Sequence, residues 1–193
     1  MKVAVLAVQG AFEEHEKVLQ ELGAQTIQLR QAKDLEDSFD ALVLPGGEST
    51  VQGKLLKELG MFDTMKSQIE NGMPVLATCA GAILLAEKIE GQIKGQPEQY
   101  FGTIPMCIRR NAYGRQLGSF HTEAPVAGIG TVPMTFIRAP YIASVGDGVE
   151  VLAVVEERIV GVKYKNQMAF SFHPELDPDM RIHKTFLSMI SNV

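Results

Sequence analysis

Residues 74–85, which read PVLATCAGAILL, predict a buried strand that passes directly into a helix. Residues 74–78 form a short apolar run typical of a buried strand, and the apolar spacing of residues 80–89 predicts a helix. Cys79 then lies at the bend, beside the unpaired N–H groups and the positive dipole end of the helix. Both features favour the thiolate, which is the nucleophilic form of cysteine. The alternative is a cysteine that packs as a small buried hydrophobe.

The segments before this bend alternate between strand and helix patterns. Because strand–helix–strand order places successive strands side by side, it predicts a parallel sheet with right-handed crossovers. Strands are expected at 2–8, 26–30 and 41–44, and helices at 11–22, 51–59 and 62–69.

The second half of the chain changes character. Strand-like segments separated by turns predict antiparallel pairs there. They lie at 103–109, 131–138, 149–155, 159–165 and 168–172. A final helix is expected with Asp177 as its N-cap and Pro178 as its first residue. Nothing in the sequence resembles a linker, so we expect one domain over residues 1–193.

Charge and composition exclude several kinds of partner. The formal net charge of −5 is spread along the chain without a run of Lys or Arg, so no nucleic-acid or membrane surface is expected. The apolar run of residues 3–8 is too short for a secretory signal, whose core needs about seven residues or more. Cys79 and Cys107 make no disulfide framework. A cytoplasmic protein that acts on small molecules or other proteins is therefore expected.

A glycine pair follows the third predicted strand, in Pro45-Gly46-Gly47-Glu48-Ser49-Thr50. It is not a phosphate loop, because five residues separate Gly47 from Gly53 and Leu55 stands where Ser or Thr would bind magnesium. Two interpretations stay open on loop chemistry alone. The segment is either a tight turn with Ser49 as a helix cap, or a site loop whose Gly47 N–H stabilises an oxyanion.

A histidine and a glutamate follow the last predicted strand, in Phe172-His173-Pro174-Glu175. In an extended segment their side chains point to the same side, so Glu175 can orient an imidazole that takes the proton of Cys79. A structural histidine and a metal site are the alternatives. The remaining histidines are scattered along the sequence without a metal motif, at His15, His121 and His183. This favours a Cys-His-Glu triad. Cys107 lies in a strand-like run without a bend and is not the expected nucleophile.

Five motifs occur in order along nearly the whole chain: ALVLPGGEST at 41–50, ATCAG at 77–81, RNAYGRQ at 110–116, FIRAP at 136–140 and SFHPEL at 171–176. Together they resemble the triad-type (class I) glutamine amidotransferases. The cysteine, histidine and glutamate mark that broad superfamily. The segments GGEST, RNxxGRQ and IRAP more closely resemble the glutaminase subunits of pyridoxal 5′-phosphate synthase.

This resemblance implies an α/β fold, a three-layer sandwich with a mixed, mostly parallel central sheet flanked by helices. It implies that Cys79, His173 and Glu175 hydrolyse L-glutamine to L-glutamate and ammonia, with no cofactor and no metal. The ammonia would pass to a synthase subunit of the PdxS family in a hetero-oligomeric complex that makes pyridoxal 5′-phosphate. The N–H groups of Gly47 and Ala80 would form the oxyanion hole. The implied glutamine-binding residues are Gly46, Gly47, Glu48, Ser49, Arg110, Ile137 and Arg138.

Two other functional classes remain open from the residues. A cysteine hydrolase or isomerase of related architecture would share the bend at Cys79, but it would not need the arginines Arg110 and Arg138. A catalytically silent regulatory or assembly module is the non-enzyme alternative. The intact set of Cys79, His173 and Glu175 argues against a silent module.

Overall fold

The computed structural model describes residues 1–91, 99–110 and 119–190. Its strands are β1 (Lys2–Leu6), β2 (Gln25–Leu29), β3 (Ala41–Leu44), β4 (Val75–Thr78), β5 (Ala86–Ile89), β6 (Ile104–Arg109), β7 (Ser119–Val126), β8 (Gly130–Ile137), β9 (Tyr141–Val145), β10 (Glu150–Val155), β11 (Arg158–Tyr164) and β12 (Gln167–Phe170). Its helices are α1 (Phe12–Glu21), α2 (Ser49–Glu58), α3 (Phe62–Glu70), α4 (Ala80–Leu85) and α5 (Arg181–Ile190). Two 3₁₀ turns span Ala32–Glu36 and Pro174–Leu176.

The central sheet is mixed, as the sequence predicts. Its strand order is β2-β1-β3-β4-β12-β11-β9-β6-β5, with β10 also paired to β11. The five strands from β2 to β12 are parallel, whereas β11 runs antiparallel to β9, β10 and β12. Strands β7 and β8 form a separate antiparallel hairpin. The carboxyl ends of β1, β3, β4 and β12 thus meet at one edge of the sheet.

Helices cover both faces of the sheet. Side chains of successive strand residues point to opposite sides, so the buried strands present apolar side chains on each face. Leu42, Leu44 and Ala77 pack into a core with residues of α2, α3 and α4. Val43 and Leu76 pack into a second core with α1, α5 and the β7–β8 hairpin. The fold is therefore a layered α/β sandwich, and the predicted fold class is confirmed.

The predicted helix over residues 80–89 is wrong in its second half. The helix ends at Leu85, and Ala86 is already extended with ψ of 135°. Ala86–Ile89 instead forms β5, which pairs in parallel with β6. Ala86 and Ile89 are buried while the two residues between them are exposed, a spacing that fits one side of a helix as well as an irregular edge strand. Pairing with β6 decides between them, since it satisfies backbone groups at the sheet edge.

The predicted start of the last helix is also wrong. Asp177 is extended and follows the 3₁₀ turn, and its carboxylate accepts a hydrogen bond from the Thr135 hydroxyl at 3.2 Å. The helix begins at Arg181, whose backbone N–H donates to Asp179 at 2.9 Å. The sequence places two aspartates near the helix start, and the one nearer to Arg181 binds its amide. None of the helices in the described ranges has the length and apolar character needed to cross a membrane.

Candidate active site

Cys79 occupies a strained bend between β4 and α4. Its φ of 47° and ψ of −102° fall outside the regions that most residues adopt, a conformation worth about 1–3 kcal/mol of strain. Its amide donates to the carbonyl of Phe170 at 2.8 Å, which ties the bend to β12. Gly81 permits the close approach of α4 to β3, because a Cβ there would lie 2.0 Å from the carbonyl oxygen of Leu44. The thiol is thereby held at the carboxyl ends of the parallel strands, where ligand clefts form in α/β sheets.

His173 and Glu175 are brought together by the 3₁₀ turn after β12. The Nδ1 atom of His173 lies 2.7 Å from Oε1 of Glu175, and both side chains are buried. The predicted contact is present, but the predicted extended geometry is wrong, because Pro174–Leu176 is a turn. The turn brings the carboxylate of Glu175 to the imidazole of His173, whereas the prediction placed both side chains on one side of an extended segment.

The imidazole of His173 and the carboxylate of Glu175 stabilise each other's charged form. Burial favours the neutral imidazole, but hydrogen bonds with Cys79 and Glu175 outweigh burial and raise the pKa of His173 to about 10. Burial likewise favours the protonated carboxyl, yet His15 and the hydrogen bond with His173 lower the pKa of Glu175. At neutral pH an imidazolium and a carboxylate are therefore the stable pair. An imidazolium beside Cys79 stabilises negative charge on its sulfur.

Cys79 and His173 face a cleft of about 570 Å³. Every implied glutamine-binding residue also lines this cleft, as does Ala80 at the first turn of α4. Glu175 lies behind His173 and is not part of the cleft wall. Arg138 and Ile137 enter from the end of β8, where Arg138 has a positive φ of 43°. The structure thus brings all sequence-predicted site residues to one place, with Glu175 in a supporting position.

The loop between β3 and α2 contains the groups that would meet a polar substrate. Glu48, not Ser49, is the N-cap of α2, because its carboxylate accepts from the amides of Thr50 and Val51. The guanidinium of Arg110 donates to Glu48 at 3.3 Å, to Thr50 at 2.8 Å and to the hydroxyl of Ser49. These contacts hold the arginine against the loop. The remaining residues of the RNAYGRQ motif, 111–116, lie outside the described residues.

Close contacts fix the glycine pair against the loop between β1 and α1 and against the end of β4. The Gly46 N–H donates to Oγ1 of Thr78 at 3.1 Å, and the Gly46 carbonyl accepts from the amide of Ala11 at 3.0 Å. A Cβ on Gly10 would lie 1.9 Å from that carbonyl oxygen, and one on Gly46 would lie 2.3 Å from Cε1 of His173. Glycine is therefore required at Gly46, within the loop, and at Gly10, which faces the loop.

Sequence reasoning missed several residues of this region. Gln9 lines the cleft, and its side-chain carbonyl accepts from the amide of Glu48 at 2.8 Å. The amide of Gln52 donates to the backbone carbonyl of Gln9 at 3.0 Å. Gln9 lies just beyond the carboxyl end of β1, the edge at which α/β sheets bind ligands. Its position in the sequence could therefore have identified it as a site residue. The histidines described as scattered were also misjudged, because His15 and His183 lie together behind Glu175.

Cys107 and the remaining histidine lie elsewhere. Cys107 is in β6, beside a separate surface depression with Lys88 and Ser144. His121 contacts Thr135 on the hairpin at 3.1 Å. Within the part of the chain that the structure describes, no cluster of three or more His, Cys, Asp or Glu side chains could hold a metal ion.

A thiol on a strand-to-helix bend, next to an imidazole supported by a carboxylate, defines the class of cysteine hydrolases built on an α/β sheet. The chain belongs to the SNO glutamine amidotransferase family, whose model matches residues 5–192. A relative from Desulfitobacterium hafniense (strain Y51), named pyridoxal 5′-phosphate synthase subunit PdxT, is 59% identical over 192 residues that cover 100% of this chain and 94% of the relative. A protein of the same name from Streptococcus pneumoniae (strain D39) is 50% identical over an alignment that covers 98% of this chain and 97% of that relative. A crystal structure described as a glutamine amidotransferase has a TM-score of 0.91 at 42% identity, over 98% of each chain.

Proposed function

We propose that the protein hydrolyses L-glutamine to L-glutamate and ammonia as the glutaminase subunit of pyridoxal 5′-phosphate synthase. Its ammonia passes to a synthase subunit of the PdxS family within a hetero-oligomeric complex. The observation that carries the proposal is the joint position of Cys79 and His173 on one cleft, with Glu175 bound 2.7 Å from the imidazole. Membership of the amidotransferase family and the names of the relatives support the same substrate and partner.

The reaction follows from the charges of these three side chains. The sulfur of Cys79 attacks the side-chain amide carbon of glutamine, and negative charge develops on the amide oxygen. The N–H groups of Gly47 and Ala80 are the proposed donors to that oxygen. His173 donates its proton to the departing nitrogen, which leaves as ammonia and a thioester on Cys79. His173 then takes a proton from water as the water attacks the thioester, which releases glutamate and returns the sulfur of Cys79 and the imidazole of His173 to their starting state.

Polar and charged side chains that line the cleft are the proposed binding groups for the amino-acid end of glutamine. An α-carboxylate is bound well by the bidentate fork of an arginine, and Arg110 and Arg138 both line the cleft. Glu48 offers a carboxylate for the α-ammonium group, and Ser49 a hydroxyl. Because Arg110 already contacts Glu48, Ser49 and Thr50, a substrate carboxylate there would join an arginine whose position is set. Gly46 and Ile137 complete the proposed pocket.

The proposal also places the activity in a single domain over residues 1–193, acting in the cytoplasm. The single domain is supported by the family model that matches residues 5–192. The location is supported by the names of the relatives, since a biosynthetic subunit must meet its synthase partner and its substrate in the same compartment.

Glutamate release in the presence of a synthase partner tests the function. The protein is mixed with a PdxS-family subunit, and glutamate is measured enzymatically at saturating glutamine, with Cys79→Ser as the inactive control. Release that depends on Cys79 supports the proposal. Turnover of a different amide with negligible glutamate release would favour another cysteine hydrolase, and binding without any turnover would favour a silent assembly module.

A further inference from the structure

A buried polar cluster lies directly behind the site, on the side of Glu175 that faces away from His173. It consists of His15 on α1, Thr78 at the end of β4, His183 on α5 and the carboxylate of Glu175. The side chains of His15, Thr78 and His183 belong to residues with no exposed surface. None of the four lines the cleft. Only Glu175 has a role in the proposed mechanism.

Each ring nitrogen of His15 has a different neighbour. Its Nδ1 lies 2.9 Å from Nε2 of His183. Its Nε2 lies 3.0 Å from Oγ1 of Thr78 and 3.3 Å from Oε2 of Glu175. That carboxylate oxygen is buried and has no hydrogen-bond partner among the described residues, so its 3.3 Å contact with His15 is electrostatic. The two oxygens of Glu175 are therefore divided, with Oε1 on His173 and Oε2 facing His15.

Only one arrangement of protons fits these contacts. If His15 carried its proton on Nδ1, the bare Nε2 would face the carboxylate of Glu175, and His183 would have to hold its own proton on a buried Nδ1 with no partner. With the proton on Nε2, His15 donates to Oγ1 of Thr78 and presents a partly positive N–H group to Oε2 of Glu175. His183 then donates from its Nε2 to Nδ1 of His15. This second arrangement leaves no buried N–H without an acceptor.

The cluster is neutral apart from Glu175. Burial lowers the pKa of His15 and lowers that of His183 to about 3. The charged groups that act on His15 are Glu175 and His173 beside the 3₁₀ turn and Glu14 on its own helix. A neutral His15 supplies a fixed N–H dipole beside Glu175 without adding a buried charge that would compete with His173 for the carboxylate.

We propose that His15 is a positioning residue of the active site, which holds Glu175 electrostatically by keeping its Nε2–H 3.3 Å from the carboxylate oxygen that His173 does not use. Through Oγ1 of Thr78, which also accepts the Gly46 N–H at 3.1 Å, the same donor links the triad to the glycine loop of the oxyanion hole. His183 fixes the tautomer of His15. This inference deepens the proposed function and rests on it for the identity of the reaction.

Three substitutions at His15 separate the donor from the volume that it fills. His15→Gln can place an amide N–H where Nε2 stands, whereas His15→Met has a similar length and no donor. His15→Asn can place its amide only near the Nδ1 position, on the side of His183. Leu19→Ala is the matched control, since Leu19 is fully buried on the same helix but packs in the apolar core. It should lower thermal stability without touching the cluster.

The measurements are kcat and KM for glutamine in the complex, and the pH midpoint of the His173 imidazole followed by NMR in each variant. We expect His15→Met and His15→Asn to lower kcat about ten- to hundredfold, with KM little changed. The His173 midpoint should fall, because a poorly held Glu175 supports the imidazolium less well. His15→Gln should recover most of both values, and Leu19→Ala should change neither.

The His173 midpoint is independent of glutamine turnover, so it tests His15 even if the reaction is another one. A His15→Met variant with an unshifted His173 midpoint would overturn the proposal. So would a folded His15→Gln variant as impaired as His15→Asn, a comparison that decides the matter where His15→Met does not fold. Absence of glutamate release from the wild-type complex would instead overturn the proposed function.

Discussion

At the scale of single residues, Cys79 and Cys107 differ by position more than by chemistry. Cys79 is held on a strained bend beside an imidazole, whereas Cys107 lies in a strand. We expect a glutamine-like chloroketone to label Cys79 alone, and Cys79→Ser to abolish glutamine hydrolysis without unfolding the protein, because the base is matched to a thiol. Mass spectrometry of the labelled peptides reads the outcome. Label on Cys107 would refute the choice of nucleophile.

Arg110 provides a second test at this scale. Its guanidinium donates to side chains of the loop at the start of α2 through one nitrogen, Nη2. A planar guanidinium can also present two parallel N–H groups to a substrate carboxylate, a geometry that a lysine ammonium cannot reproduce. We expect Arg110→Lys to raise KM for glutamine about tenfold and to reduce the preference for glutamine over analogues without the α-carboxylate. Steady-state kinetics of the complex measure both, with Arg109→Lys as a matched control, since Arg109 pairs with Glu90 away from the cleft. An unchanged KM would place the carboxylate site at Arg138 or elsewhere.

At the scale of elements, the bend at Cys79 depends on how closely α4 approaches β3. A methyl group on Gly81 would meet the carbonyl of Leu44 at 2.0 Å, so the helix must shift away from the strand. We expect Gly81→Ala to destabilise the fold by about 1–3 kcal/mol and to lower kcat more than it raises KM. Urea unfolding and steady-state kinetics measure the two effects. Ala82→Gly is the control, because it perturbs the same helix without adding an atom near β3. A Gly81→Ala variant with wild-type kinetics would show that the bend tolerates a displaced helix.

The sequence predicted elements well where local pattern and tertiary packing agree. The buried run of β3 and the amphipathic α1 are present within one or two residues of their predicted bounds, because apolar spacing alone defines them. Strands β7 and β9 were not predicted. In β7, alternate residues are exposed and one of them is Pro125, so its identity as a strand depends on pairing with β8. The boundary between α4 and β5 failed for the same reason, since a distant strand decides it.

The candidate site shows the same division. The motifs identified Cys79, His173 and Glu175, because each stands at the end of a recognisable apolar strand. His15 and His183 are far apart in sequence, at positions that each fit the buried side of an amphipathic helix. Only the packing of α1 and α5 against the same face of the sheet brings them together behind Glu175. Spacing along a single chain carries no information about such a contact.

At the scale of the whole molecule, buried histidines shape the dependence of stability on pH. His183 has a pKa of about 3 in the fold against 6.5 for an ordinary histidine. The unfolded chain thus binds more protons between these values, and the free energy of unfolding falls as pH falls below 6.5. His173 has a pKa of about 10, so the folded protein binds more protons between 6.5 and 10. On that side the free energy of unfolding falls as pH rises.

We therefore expect maximal stability near pH 6.5, with a slope of at most about 1.4 kcal/mol per pH unit for each group. Urea unfolding at a series of pH values measures the curve. His183→Gln keeps a donor toward His15 but cannot be protonated, so it should reduce the acidic slope without changing the alkaline side. Part of the acidic slope should persist, because burial lowers the pKa of His15 as well. His173→Gln should flatten the alkaline side alone. A wild-type curve that rises steadily from pH 6 to pH 9 would contradict the assignment of an imidazolium to His173.

The synthase partner is expected to change the rate of the protein through the glycine loop. The Gly46–Gly47 peptide is held by the amide of Ala11, so turning its N–H to the other side breaks a hydrogen bond of 3.0 Å. Glycine tolerates both orientations, and a partner that contacts the loop can favour one of them. One oxyanion donor withheld is worth about 10²–10³ in kcat. We expect the isolated protein to be slower than the saturated complex by that factor.

Gly47→Ala separates the loop from other effects of the partner. A Cβ on Gly47 would lie 2.4 Å from Oε1 of Gln9, the atom that accepts the amide of Glu48. The substitution must therefore displace the contact that orders the loop, and it should reduce kcat of the complex far more than that of the already slow isolated protein. Comparing kcat of each variant alone and with saturating synthase subunit measures this. Equal rates for the isolated and the complexed wild-type protein would exclude a partner-controlled oxyanion hole, because the donor would then be in place before the partner binds.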